Sequence, residues 1–186
     1  MTKYIRISSV VAAVLTVVMA LAAYRPAYAA TAAEIDAGVD AAMVKLYEKT
    51  PAAKELSKVA KAILVFPDIV KAGFIVGGQF GEGALRIDGK TAGYYSTVAA
   101  SYGLQIGAQS FGYALFFITD SALDYLKRSE GWEIGVGPSI VVVDEGIAKS
   151  LTTTTAKSDI YAFFFDQKGL MAGLGLQGSK ITRIDK

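Results

Sequence analysis

Apolar positions recur every three to four residues from Ile35 to Leu46 and every second residue from Gly73 onward, so the chain reads as helices followed by strands. Thr31-Ala32-Ala33-Glu34 is a capping box, in which Thr31 satisfies the Glu34 amide and Glu34 reaches back. The helix it opens carries Ile35, Val39, Ala42, Met43 and Leu46 on one side. Thr50-Pro51 stops that helix and starts a second. Here Ala52, Leu56, Val59 and Ile63 share one side, and Lys54, Lys58 and Lys61 fall within about 60° of one another on the other. An apolar run, Ile63 to Phe66, is expected to break at Pro67 before a glycine-studded strand from Gly73 to Gly81. Bare backbone at Gly77, Gly78, Gly81 and Gly83 marks a bulge, a bend or close approach by another backbone or a ligand.

Asp88-Gly89 is a hairpin signal, with Thr91 to Ser101 returning as a strand. The stretch from Gly103 to Thr119 is apolar on both parities toward its end, which places it centrally, covered on both faces. A short helix follows over Ser121–Arg128, capped by Thr119-Asp120, with Lys127 and Arg128 at its C-terminal end. Extended structure is expected from Gly131 to Val143 with a kink at Gly137-Pro138, then a turn at residues 144–146. A strand from Leu151 to Asp166 turns at residues 167–169 and pairs with Leu170 to Gln177. The pattern therefore predicts an α+β fold. Two N-terminal helices pack on a strongly curved, largely antiparallel sheet of six or more strands, with one short inserted helix; closure into a barrel is compatible with it.

Residues 1–29 change the picture of compartment and charge. Lys3 and Arg6 precede an apolar run from Ser8 to Ala23, and Ala27-Tyr28-Ala29 supplies small residues for cleavage, the pattern of an export signal, with an uncleaved N-terminal anchor as the alternative. The expectation is one domain over residues 30–186, periplasmic or secreted, with peripheral membrane association open to it. Loss of Lys3, Arg6 and Arg25 takes the 19 basic residues to 16 against 17 acidic ones, a net charge of −1. Such a surface is not that of a nucleic-acid-binding protein.

Composition narrows the chemistry further. The chain has neither cysteine nor histidine, which excludes disulfides, thiolate or Ser-His-Asp catalysis and Cys/His metal sites. Gly173-x-Gly175-x-x-Gly178 matches a dinucleotide fingerprint in letters, but the chain lacks the helix and the later acidic residue that motif needs. Asp144 and Glu145 are adjacent, and adjacent strand residues point to opposite faces, so they form no catalytic pair unless the turn redirects one. No catalytic residue, metal or cofactor is expected. Phe163-Phe164-Phe165 reads as core; Trp132, beside a turn, reads either as core or as a membrane-interface or ligand-lining group.

The motif Ala60-Lys61-Ala62-Ile63-Leu64-Val65-Phe66-Pro67 resembles the SYLF lipid-binding domain family. So do Lys71-Ala72-Gly73-Phe74, Gly77-Gly78, Gly81-Glu82-Gly83, Gly107 to Phe111 and Lys168 to Ser179. The resemblance runs from about Ala41 to Asp185. It implies binding to membrane lipid, phosphoinositides and sometimes actin in eukaryotic members, and no catalysis. This chain departs from the family at Ala62, often glycine there, and in carrying a signal where eukaryotic members use an amphipathic segment. An exported member would meet envelope phospholipid instead. The expected lipid-binding residues are Lys54, Lys58, Lys61, Lys71 and Trp132, acting at an anionic phospholipid or membrane surface. Two alternatives stay open: a soluble carrier enclosing an acyl chain within the curved sheet, and an envelope module that binds another, unspecified protein.

Overall fold

The computed structural model describes residues 29–74, 76–102, 107–169, 176 and 178–186; the expected export signal, but for Ala29, lies outside them. Helix α1 (Ala32–Lys49) begins at the anticipated capping box, with the Thr31 amide donating to Glu34 Oε2 at 2.8 Å and the Glu34 amide to Thr31 Oγ1 at 3.3 Å. It buries Ile35, Val39, Ala42 and Leu46, a single stripe. Helix α2 (Pro51–Ser57) buries Ala52, Ala53 and Leu56 and is shorter than the pattern predicts. The Lys61 amide donates to the Phe117 carbonyl at 2.7 Å, so the sheet captures the chain before Ile63. Ile63 still faces the helices, but from a strand, where β-branched Ile63 and Val65 are at home.

Eight strands form one sheet: β1 (Ala62–Phe74), β2 (Val76–Ile87), β3 (Lys90–Tyr102), β4 (Gly107–Phe117), β5 (Trp132–Glu133), β6 (Ile140–Val142), β7 (Ile160–Gly169) and β8 (Lys180–Ile184). Their order is β5-β8-β3-β2-β1-β4-β7-β6, and every pair is antiparallel except β6 with β7. Asp88 and Gly89, both at positive φ (49° and 75°), make the β2–β3 hairpin. β4 lies between β1 and β7 and is buried on both faces from Phe111 to Phe117, as its two-sided apolar pattern requires.

β5 and β6 are the two outer strands, yet only residues 134–139 join them. That segment reaches at most roughly 25 Å, whereas a flat sheet of this many strands would be roughly 34 Å across. The sheet must therefore curl, and it does, into an open half-barrel. The joining segment is bonded to both ends of the curl: Ile134 N–H donates to Ser179 O at 2.8 Å, and Ile160 N–H to Ser139 O at 3.0 Å.

Pro67 does not end a strand, contrary to the sequence expectation. β1 passes through it on a bulge, with the register shifting between Val65 and Asp68 against β2 and between Phe66 and Ile69 against β4. A bulge is where an interior strand tolerates a residue without an N–H. The extra residue also exchanges the faces: Leu64, Phe66 and Ile69 share one core although their numbers differ in parity. The facing glycines exist for this. A Cβ on Gly83 would lie 2.1 Å from Val65 O, and one on Gly81 2.8 Å from Asp68 O.

Each face has its own core. α1 and α2 cover Ile63, Val65, Ala84, Ala114, Phe116, Phe163 and Phe165. Inside the curl, helix α3 (Asp120–Arg128) packs Ala122, Leu123 and Leu126 against Phe66, Phe111, Tyr113, Phe117 and Trp132. The three consecutive phenylalanines are core, as read from sequence, with Phe164 partly buried on the inner side. Three other expectations are corrected. Residues 144–146 open a short helix, α4 (Glu145–Ser150), and Thr152 to Thr155 form a hydrogen-bonded turn before β7 starts at Ile160. β7 continues through residues 167–169, and the last strand, β8, pairs with β3. The strand expected over Leu170 to Gln177 lies, but for Leu176, outside the described residues.

Candidate functional site

The lysines singled out from sequence separate into an outer group and one inner residue. Lys54 is exposed on α2 and makes no ion pair among the described residues. Lys58, at the α2 C-terminus, lies 2.7 Å from Glu55, and Lys61 lies 3.5 Å from Asp120 at the start of α3. Both pairs are solvent-exposed, and each offsets most of its lysine's charge at a distance. Lys71 does not join this surface. It is buried (8% exposed) inside the curl, in register with buried Gln79 on β2 and Gln109 on β4. The bulge is the cause, since it turns every β1 residue beyond Pro67 to the face opposite to the one strict alternation assigns.

Around Lys71 the inner face is polar. Gln79 Nε2 donates to Ser179 Oγ at 3.0 Å, and the Tyr113 hydroxyl donates to Thr97 at 3.0 Å. Burial pushes the Tyr113 hydroxyl far up, so it stays neutral at any ordinary pH. Gln109 Oε1 is buried without a hydrogen-bond partner among the described residues.

Trp132 is a core residue, which corrects its reading as a lipid-facing ring. It is 2% exposed, its indole N–H donates to Val136 O at 2.9 Å, and its ring packs against Phe117 and Tyr125. With both its apolar ring and its single donor satisfied inside, nothing is left to meet a membrane.

Sequence reasoning missed a groove of about 890 Å³ at the α1–α2 junction, on the helix-bearing side of the sheet. Ala52, Val142, Val143 and Phe163 give it apolar walls, and Lys49, Asp144 and Lys149 are the charged residues of its lining. Lys49 and Lys45 each lie 3.1 Å from Asp166, and their hydrogen bonds hold that carboxyl below its usual range. Lys149 occupies the last turn of α4 and makes no ion pair among the described residues. Asp144, whose neighbour Glu145 invited comparison with a catalytic pair, caps α4 by accepting from the Ile147 amide at 2.8 Å. The apolar walls come from α2, from β6 with Val143 just beyond it, and from β7, far apart in sequence, so no local motif announces them.

The geometry defines a class: an α+β binding domain in which helices on a curled sheet leave an open groove with apolar walls and charged residues of both signs in its lining. The family model Ysc84, described as "Las17-binding protein actin regulator", matches residues 98–186, from within β3 to the C-terminus. Those residues belong to the SYLF family, the one that the motifs resemble. It is a family of binding domains, associated with lipid and with actin-related proteins. No curated protein matches the chain.

Proposed function

We propose that the chain is an exported, non-enzymatic domain that associates with anionic phospholipid at a membrane surface. The observation that carries this reading is the groove at the α1–α2 junction, apolar along its walls and lined also by Lys149, which makes no ion pair among the described residues; this suits an amphiphile with an anionic head. Lys54 projects from the same short helix whose Ala52 lines the groove, and Lys58 and Lys61 follow it. A lysine near an anionic surface contributes about 1 kcal/mol. With Lys58 and Lys61 paired, the sum from this surface is small and salt-sensitive, so apolar contact has to supply the rest.

Export rests on the signal pattern of residues 1–29, and it decides between partners. The family description names an actin regulator, whereas an exported chain meets phospholipid of its own envelope. The interior of the curl is occupied by Phe66, Phe111, Tyr113, Phe117 and Trp132, which leaves a carrier that encloses an acyl chain inside the sheet with less support. Flotation of residues 30–186 with vesicles tests the reading. Binding is expected to vesicles rich in phosphatidylglycerol, to weaken with salt, and to be weaker with phosphatidylcholine alone. Equal flotation of a Lys54→Glu, Lys58→Glu, Lys61→Glu variant would remove those amines from the account. Crosslinking to one protein without any flotation would favour the interaction module.

A further inference from the structure

The helices leave part of their own side of the sheet uncovered. Val70 on β1, Phe80 on β2 and Val98 on β3 stand directly opposite one another in register, and each is about half exposed (52%, 53% and 50%). The next row on that face, Ala72, Gly78 and Ala100, is exposed and small. Across β1, β2 and β3 these two rows present no charge and no side-chain hydrogen-bonding group; the first row continues to Ser110 on β4 and exposed Lys168 on β7 at one flank and to exposed Lys180 on β8 at the other. On the other side of Phe80 the face turns polar at Asp68, Glu82 and Ser96, where Lys186 holds Glu82 at 3.0 Å. Half-exposed aliphatic and aromatic side chains lined up across three strands form a contiguous patch, which marks an interaction surface more strongly than scattered ones do.

The flanks say what covers it. Exposed Lys168 and Lys180 stand in the row of Val70, Phe80 and Val98, so the apolar strip lies between two cations, the arrangement that suits an anionic amphiphilic surface. At the start of the described chain Ala29 and Ala30 line a groove of about 450 Å³ together with Ile35, Pro67, Val70 and Phe80.

We propose that the rows of Val70, Phe80 and Val98 and of Ala72, Gly78 and Ala100 form the surface by which the domain enters the headgroup–acyl boundary of a phospholipid bilayer. The inference rests on the lipid-binding reading above and assigns the apolar contact that reading requires. A bilayer with anionic headgroups suits an apolar strip flanked by exposed Lys168 and Lys180 better than a second copy does, since the headgroups pair those lysines whereas a second copy brings the same cations to the contact.

The test uses residues 30–186, which hold every described element, with vesicles of phosphatidylglycerol and phosphatidylcholine. Phe80→Asp is expected to lower the vesicle partition coefficient by roughly tenfold or more with an unchanged urea midpoint, since the side chain is exposed. Phe80→Trp in a Trp132→Phe background is expected to shift its emission to shorter wavelength on vesicles and to be quenched by brominated acyl chains. Wild-type binding matched by Phe80→Asp, with a Phe80→Trp emission that stays in water, overturns the inference and leaves the lipid reading standing. Absence of wild-type binding to any vesicle overturns both. A dimer seen by light scattering and lost in Phe80→Asp, with vesicle binding intact, assigns the face to a second copy and also overturns the inference.

Discussion

Gly83→Ala probes the bulge on which the two-faced core depends. A methyl group at Gly83 would sit 2.1 Å from the Val65 carbonyl oxygen and 2.8 Å from Phe66 Cδ1. Carbon and oxygen in ordinary contact stay about 3.3 Å apart, so one of the strands has to retreat by roughly 1 Å. The obstacle is backbone. Val65 and Phe66 are fully buried and β1 is paired on both sides, while Pro67 meets Gly38 of α1 closely enough that a Cβ there would lie 3.2 Å away. Overpacking of this kind costs about 1–3 kcal/mol, and the upper half of that range is expected where no side chain can swing aside. With a urea m-value near roughly 2 kcal/mol/M, the unfolding midpoint should fall by about 1 M. Gly78→Ala is the control. Its nearest neighbour, Ala99 O, would be at 3.7 Å, and reduced freedom of the unfolded chain should leave that variant unchanged or more stable by about 0.4–1 kcal/mol. A Gly83→Ala midpoint equal to that of Gly78→Ala would refute the account of the bulge.

Trp132→Ala is expected to cost about 3–5 kcal/mol, read as a lowered melting temperature, with vesicle binding per folded molecule unchanged; stability retained with binding lost would return the ring to the surface. The carboxyls of Asp159 and Asp166 are held below the usual range by hydrogen bonds, from Ser139 and Thr119 to the first and from Lys45 and Lys49 to the second. Asp36 is also lowered: burial pushes it up, but hydrogen bonds from Thr91 and Tyr94 and the charge of Arg86 outweigh that. Below pH about 4 the unfolded chain takes up protons that the folded one refuses. The contribution of these groups is therefore complete above that pH and lost as pH falls through the folded values. Urea midpoints measured from neutral pH downward should drop across that window and drop less in Asp36→Asn; identical slopes for the two proteins would contradict it.

The architecture was legible because its signals are local. The Thr31–Glu34 box and Thr119 cap their helices, Asp88-Gly89 turns at positive φ, and Pro51 opens α2, although the Thr50 side chain makes no capping bond there. Helix and strand periods cannot be told apart over a short apolar run, so α2 was drawn too long; its end was decided by Phe117, more than fifty positions away. The face that each β1 residue takes is not legible in the sequence for a comparable reason. Alternation carries a side chain's direction along a strand only until an extra residue intervenes, and whether Pro67 breaks a strand or sits on a bulge depends on glycines in the neighbouring strand. Lys71 was misplaced by that single step. Trp132 was undecided because its N–H partner, Val136, is a backbone carbonyl that any sequence would offer.

Charge and apolar contact answer differently to salt, and this allows the two parts of the proposed attachment to be separated. At about 0.1 M salt exposed charges act over roughly 10 Å, so attraction through Lys54, Lys149 and the paired Lys58 and Lys61 should fade as salt is raised. Contact through Phe80 and its neighbours should persist, since burying apolar area does not depend on screening. A protein held by the lysines alone would leave vesicles completely at high salt. One held by both should keep a residual, salt-independent fraction that Phe80→Asp removes. The ion pairs of Lys58 and Lys61 make the second outcome the expected one, because a surface with so little net positive charge cannot retain an anionic bilayer without help from the uncharged rows.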